Sequence, residues 1–388
     1  MSLTTDGARR RGLGRSGSVR GRPALYTSYA ADQAIWNTPA KRVWTLALLV
    51  VVLALPFYLT RDVTSLLTTV FVYAIGGIGL NLVTGYAGQV SLGHAFFLGL
   101  GAYTAAVFGG EATGSEVGLG LDMAIWLPLA GIVPALVGLA VAPLAARVRG
   151  LYLAILTLGL VFIGQHIFNE ADAITGGAGI GRAPAEPVLF GVDLTTRFVL
   201  FGTRINRDMV YYVLCLVVLL VLAVAARNLT RSKWGRAFAA VRDRDIAAEV
   251  MGVSLLRTKT LAFTVSSFYA GIAGALLSVV VGRISPNTWD LFLSIDFLAV
   301  VLIGGVATIT GSIMGAAFVV LLPRLVDELS AYLPFISGSA GEGFLSVFQL
   351  QTMIFGALIV VFLALEPRGL YGLWVRVRNY WKAWPFSY

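Results

Sequence analysis

Asn81, Gln89, Ser91 and His94 fall inside a stretch, 63–110, that contains no Asp, Glu, Lys or Arg and is rich in glycine. Uncharged hydrogen-bonding groups in such a setting can do one of two things. They can line a path for a small polar or zwitterionic solute, or they can tie helices together where no water is present. The glycines let helices approach closely. They also permit broken backbone, which at membrane depth must be buried in protein or line a cavity. Both readings stay open for each of the four side chains.

A second group of residues sits in the charged segment 227–257. From Gly235 to Val250 the pattern is helical: Phe238, Val241 and Ile246 are apolar, with Arg242, Asp243, Arg244 and Asp245 between them. Ala247, Ala248 and Glu249 then precede Gly252, which predicts a helix stop. A helix of this kind, read over 235–252, either docks in a partner's groove or is an ordinary interfacial helix whose charges set topology. A third string, 294–317, is again rich in glycine and small polar residues. Its Asp296 reads as an acid at a helix start, close to the membrane surface.

No catalytic constellation accompanies these groups. The chain has no GxxxxGK[ST] string, so it is not its own P-loop ATPase, and no HExxH or paired intramembrane carboxylates. One cysteine, Cys215, excludes an internal disulfide and a Cys-based zinc site, and two histidines, His94 and His166, argue against a His-rich metal site. Carriers coupled to protons or ions often need buried charges. Their scarcity favours an external energy source, and the chain is read as non-enzymatic.

The elements that position these groups are membrane helices. The 388 residues are 57% hydrophobic and 13% charged, with a mean hydropathy of +0.82. Soluble proteins carry roughly 25% charged residues. Apolar stretches predict helices at 43–60, 63–84, 86–109, 124–146, 150–168, 209–226, 258–281, 294–309, 311–325 and 347–365. The fold expected is all-α and polytopic, with about ten transmembrane helices, some of them broken at glycines. Eight crossings result if 294–325 is a re-entrant unit instead of two spans. Residues 1–42 hold eight Lys/Arg among Gly and Ser and read as a disordered cytoplasmic tail. With the N-terminus inside, 22 of 29 Lys/Arg but only 6 of 20 Asp/Glu fall on the cytoplasmic side. That bias puts both termini in the cytoplasm, including the tail 366–388. It also explains the net charge of +9 by topology, with no need for a nucleic acid. The long loop 169–208, which contains TGGAGIG at 175–181, then lies outside. A loop of this length either folds over a pore mouth or simply connects.

Several strings resemble a known family: GLNLVTGYAGQVSLGHAFFLGLGAY (79–103), GLYLAILTLG (150–159), WGRAFAAVRDRDIAAEVMGV (234–253), IGGVATITGSIMGAA (303–317) and EPRGLYGL (366–373). With the TGG at 175–177 they are ordered as in the LivM-type permeases of bacterial ABC importers for branched-chain amino acids, and span most of 43–373. The resemblance implies a permease subunit in the bacterial cytoplasmic membrane. It implies a second related permease, two cytoplasmic ATPases that bind the ATP and Mg, and an extracytoplasmic binding protein. No cofactor is implied in this chain. The segment 235–252 would be the coupling helix, with Arg242, Ala247, Ala248, Glu249 and Gly252 its ATPase-coupling residues. Asn81, Gln89, Ser91 and His94 would line or shape the path. Urea-importer permeases share this architecture and a stand-alone channel remains open, so urea or another short amide is an alternative substrate.

Overall fold

The computed structural model describes residues 39–383, apart from 115, 149, 178–180, 194–197, 201–202, 331–335, 338–344 and 367. The basic tail 1–42 therefore lies outside the described residues up to position 38, as does part of TGGAGIG. Among the described residues the apolar stretches are mostly helical. Helix α1 is Pro39–Ala54, followed by a 3-10 turn at Leu55–Phe57. Then come α2 (Arg61–Asn81), α3 (His94–Gly109), α4 (Met123–Arg147) and α5 (Leu151–Glu170). After the loop come α6 (Arg207–Arg231), α7 (Lys233–Asp243), α8 (Asp245–Val250) and α9 (Leu255–Val281). The last four are α10 (Leu291–Gly304), α11 (Ile309–Ser330), α12 (Val347–Leu365) and α13 (Gly369–Ala383). Among the described residues seven helical stretches are long and apolar enough to cross a membrane. Three further apolar helical stretches, Arg42–Phe57, His94–Gly109 and Thr352–Phe362, are shorter.

Helices α2 and α9 are the most deeply enclosed and form the centre of the bundle. Small residues make this possible. A Cβ on Gly101 of α3 would collide with the Gly271 carbonyl of α9, and one on Gly274 with the Leu98 carbonyl. Backbone therefore packs on backbone along the α3–α9 seam, the arrangement that lets helices associate when lipid removes any hydrophobic drive between them. Helices α10 and α11 form an antiparallel hairpin by the same means, with Gly315 against the Val300 carbonyl and Gly304 against Gly311. The segment 294–325 is thus two helices joined by a short turn at 305–308, and α11 is longer than its apolar run.

Three expectations need correction. Helix 86–109 does not form as one piece. Helix α2 ends in a π turn, Leu82–Tyr86, residues 87–93 are not helical, and α3 begins at His94. The segment 235–252 is two helices, α7 and α8, because Arg244 adopts an extended conformation (φ −154°, ψ 98°) between them. The acid at the start of α10 is Asp290, whose carboxylate accepts from the Leu293 N–H at 3.0 Å. Asp296 sits more than a turn farther in, half-buried.

The loop 169–208 carries a helical turn, Asp172–Thr175, and two small antiparallel ladders, Val188–Leu189 with Val192–Asp193 and Phe198–Leu200 with Thr203–Ile205. Arg182 clasps this loop to the bundle. Its side chain is 1% exposed and donates to the carbonyls of Ile174 (2.9 Å), Ala106 (2.7 Å) and Val117 (2.5 Å). Its backbone exchanges two 2.8 Å hydrogen bonds with Ile284. Burial pushes the Arg182 guanidinium below its ordinary pKa, and the carboxylate of Glu116 at 3.7 Å opposes that shift.

Candidate functional site

The break after α2 is held by side chains from distant parts of the chain. Helix α3 has 16 residues, about 24 Å, which falls short of a bilayer's roughly 30 Å core. It starts inside the bundle. The His94 Nε2–H donates to the Gly76 carbonyl at 3.0 Å. Gly76 lies ten residues before the end of the π turn, about 15 Å along the axis of α2. The non-helical backbone 87–93 thus descends to membrane depth, where its N–H groups need partners. Leu92 N–H donates to the Thr157 hydroxyl (2.9 Å), Gly93 N–H to the Ser91 hydroxyl (3.4 Å) and Ala95 N–H to the Ser294 hydroxyl (2.9 Å). The His94 ring rests against Phe297 with centroids 5.1 Å apart.

Asn81 belongs to a different cluster. Its amide nitrogen donates to the Thr308 carbonyl (2.9 Å) and the Ser312 hydroxyl (2.8 Å), and its oxygen accepts from Ala307 N–H (2.8 Å). It thereby pins the α10–α11 turn, in which Ala307 holds a left-handed backbone (φ 59°). Such a conformation costs a non-glycine residue about 1–2 kcal/mol. The structure brings Ser91 and His94 together at the start of α3 and sets Asn81 apart from them. Gln89 lies at the other end of the break, beside α7. Its backbone is bonded to Val83 and Thr84, but both polar atoms of its buried side-chain amide have no partner. All four side chains are at most 4% exposed.

Helices α7 and α8 lie at the end of the bundle that the charge distribution assigns to the cytoplasm. Ser232 caps α7 by accepting from Trp234 N–H at 3.1 Å. Phe238 and Val241 are buried and anchor α7 to the bundle. Arg242 stays partly exposed but reaches back to donate to the Gly85 carbonyl of the π turn at 3.1 Å. Helix α8 does the opposite: Ile246 is 65% exposed, and Val250 and Met251 are 83% exposed. Ala248 is buried, whereas Ala247 and Glu249 face outward. The helix closes as the sequence predicts. Gly252 takes a left-handed conformation (φ 86°), its N–H bonds the Glu249 carbonyl, and Val253 N–H bonds that of Ala248. This pairing is a Schellman closure.

Thr157, Ser294, Ser312 and Arg182 were not visible as candidates in the sequence. Thr157 stands within GLYLAILTLG and Ser294 opens the third string, but nothing local marks either as a partner for the backbone of another helix.

A glycine-rich break held by hydroxyls thus lies next to a short helix pair at one end of the bundle. The family described as branched-chain amino acid transport system / permease component matches residues 63–363. The chain belongs to this family. It is 32% identical over 347 residues to the high-affinity branched-chain amino acid transport system permease protein LivM of Salmonella typhimurium, covering 86% of this chain and 76% of that protein. The LivM protein of Escherichia coli K12 matches with the same identity and coverage. The probable branched-chain amino acid transport permease protein LivH of Methanocaldococcus jannaschii is 27% identical over 261 residues, 65% of this chain and 76% of that one. No solved structure matches. With seven apolar helices of crossing length, the chain is, like the permeases of bacterial ABC importers, a multi-pass protein of the cytoplasmic membrane.

Proposed function

We propose that this chain is the transmembrane permease subunit of an ABC importer that moves branched-chain amino acids into the cytoplasm. The single observation that carries the reading is α8. A six-residue helix with Ile246, Val250 and Met251 exposed outside the bundle is costly in water and makes sense as a knob for a protein groove. A stand-alone channel has no use for it. The partner there is one of two cytoplasmic ATPases, which bind ATP and Mg and hydrolyse the nucleotide; this chain is the non-catalytic subunit. Glu249 and Gly252 shape the docking knob. A second, related permease and an extracytoplasmic binding protein complete the importer.

The break 82–93 is the segment that shapes the path, with Gln89, Ser91 and His94 on it and Asn81 bracing it against α10 and α11. In the conformation described these groups are closed off, which suits a resting permease awaiting its binding protein. An uncharged, glycine-rich wall suits a zwitterion, whose two charges cancel overall. Both termini, with the basic tail 1–42 and 366–388, are cytoplasmic. The reading is tested by reconstituting the importer and replacing Glu249 or Gly252. Substrate-stimulated ATP hydrolysis and uptake should fall out of step while the protein stays in the membrane; normal coupling in both variants would overturn the docking role.

A further inference from the structure

We propose that Arg242 is the positioning residue through which movement of the docking helices reaches the break in α2, an inference that rests on the importer reading above. Four observations converge on it. The guanidinium donates to the Gly85 carbonyl within the π turn, and its Nε also bonds Asp243 at 3.2 Å. The stem of Arg242 lies on Gly88, where a Cβ would stand 2.8 Å from Cγ and 3.1 Å from the Arg242 Cα. Gly88 has φ +69°, so the chain turns sharply at the point where α7 rests on it. A π turn breaks the regular helical ladder, and such turns occur often at functional positions.

The contact continues into the bundle. Gly85 is packed so closely beneath Asn81 that a Cβ there would meet the Asn81 carboxamide and the Ala307 N–H. Asn81 in turn holds the α10–α11 turn. One contiguous set of contacts therefore runs from α7 through Gly85 and Asn81 to the strained Ala307. On the other side of Arg242 there is room to move. A cavity of about 210 Å³ lies against Arg242, lined by Gln89, Val90, Val148, Leu153 and Lys259. The unpartnered Gln89 amide at its edge is a buried group that this conformation leaves unsatisfied. Packed cores switch between discrete arrangements in preference to deforming smoothly. The cavity and the unpaired amide mark where the alternative arrangement lies. Helix α8 carries the outward, partner-facing side; Arg242 carries the inward one.

The test uses the complete importer in proteoliposomes and reads substrate taken up per ATP hydrolysed. Arg242→Gln removes the donor. Gly88→Ala keeps the Arg242 guanidinium chemically intact but drives a Cβ against its Cγ and Cα and so pushes α7 off the turn, without altering any exposed residue of α8. Each should lower the ratio about tenfold, the scale of one member of a coupling network, and Arg242→Lys should recover part of it. A wild-type ratio in both variants overturns the proposal. Should either variant fail to assemble, amide hydrogen exchange of 84–93 in the wild-type importer decides the matter: trapping the ATPases in their ATP-bound state should change it, and no change overturns the proposal. If the wild-type importer shows no ATP-dependent uptake at all, the importer reading fails, a result distinguishable from loss of the Arg242 contact alone.

Discussion

The backbone N–H of Ala95 is satisfied by the hydroxyl of Ser294 at 2.9 Å, across 199 positions of sequence. The first turn of α3 is therefore capped by another helix, deep in the bundle, where no water can substitute. Ser294→Ala should lower stability by about 1–2 kcal/mol, the scale of a lost cap, measured by unfolding in mixed detergent. Ser294→Gly would remove the same hydroxyl and should be no better.

Asn81 donates to Thr308 and Ser312 and accepts from Ala307. Asn81→Ala leaves the Ala307 N–H unpaired and should cost about 1–3 kcal/mol. Asn81→Asp keeps the acceptor but turns a carboxylate toward the Thr308 carbonyl, so it should be at least as damaging. An Asp variant more stable than the Ala variant would contradict the assigned donor and acceptor roles.

Two glycines separate packing from propensity. A side chain on Gly101 meets the Gly271 backbone, whereas one on Gly159 of α5 meets open space. Gly101→Val should fail to pack, lowering the yield of folded protein in detergent. Gly159→Ala should be neutral or stabilising by up to about 1 kcal/mol.

Helix α8 presents Ile246 and Val250 one turn apart on its exposed side. Ile246→Asp should weaken capture of the purified ATPases by at least about tenfold, the effect of losing an interface anchor. The permease itself, whose packing does not use that side chain, should retain its thermal stability.

Much of the bundle was legible in the sequence because apolar length and glycine content are local properties. The predicted span 124–146 is α4 within a residue at each end, and 347–365 coincides with α12. The stop at Gly252 was legible too, because a left-handed helix end is a demand on one residue. That the backbone breaks near the glycines of 63–110 was legible; that the break extends over 87–93 was not. What replaces the helical hydrogen bonds at its end and at the start of α3 are hydroxyls from Thr157 and Ser294, far away in the chain. The same holds for the split at Arg244, where the helical pattern runs through an exposed residue that takes an extended form. Asn81, Gln89, Ser91 and His94 were found as a group because they are the polar exceptions in an uncharged stretch. Their division into a brace at α10–α11 and a separate start of α3 depends on helices that no spacing within 81–94 can reveal.

On the proposed function, this chain moves branched-chain amino acids only when partner ATPases drive it. The most direct measurement is uptake of radiolabelled leucine into proteoliposomes holding this permease, its partner permease and the two ATPases, with the binding protein supplied outside. Uptake should require ATP in the lumen and should vanish when the Walker lysines of the ATPases are replaced. Leucine uptake that persists with those lysines replaced would contradict the account and point to a facilitator instead.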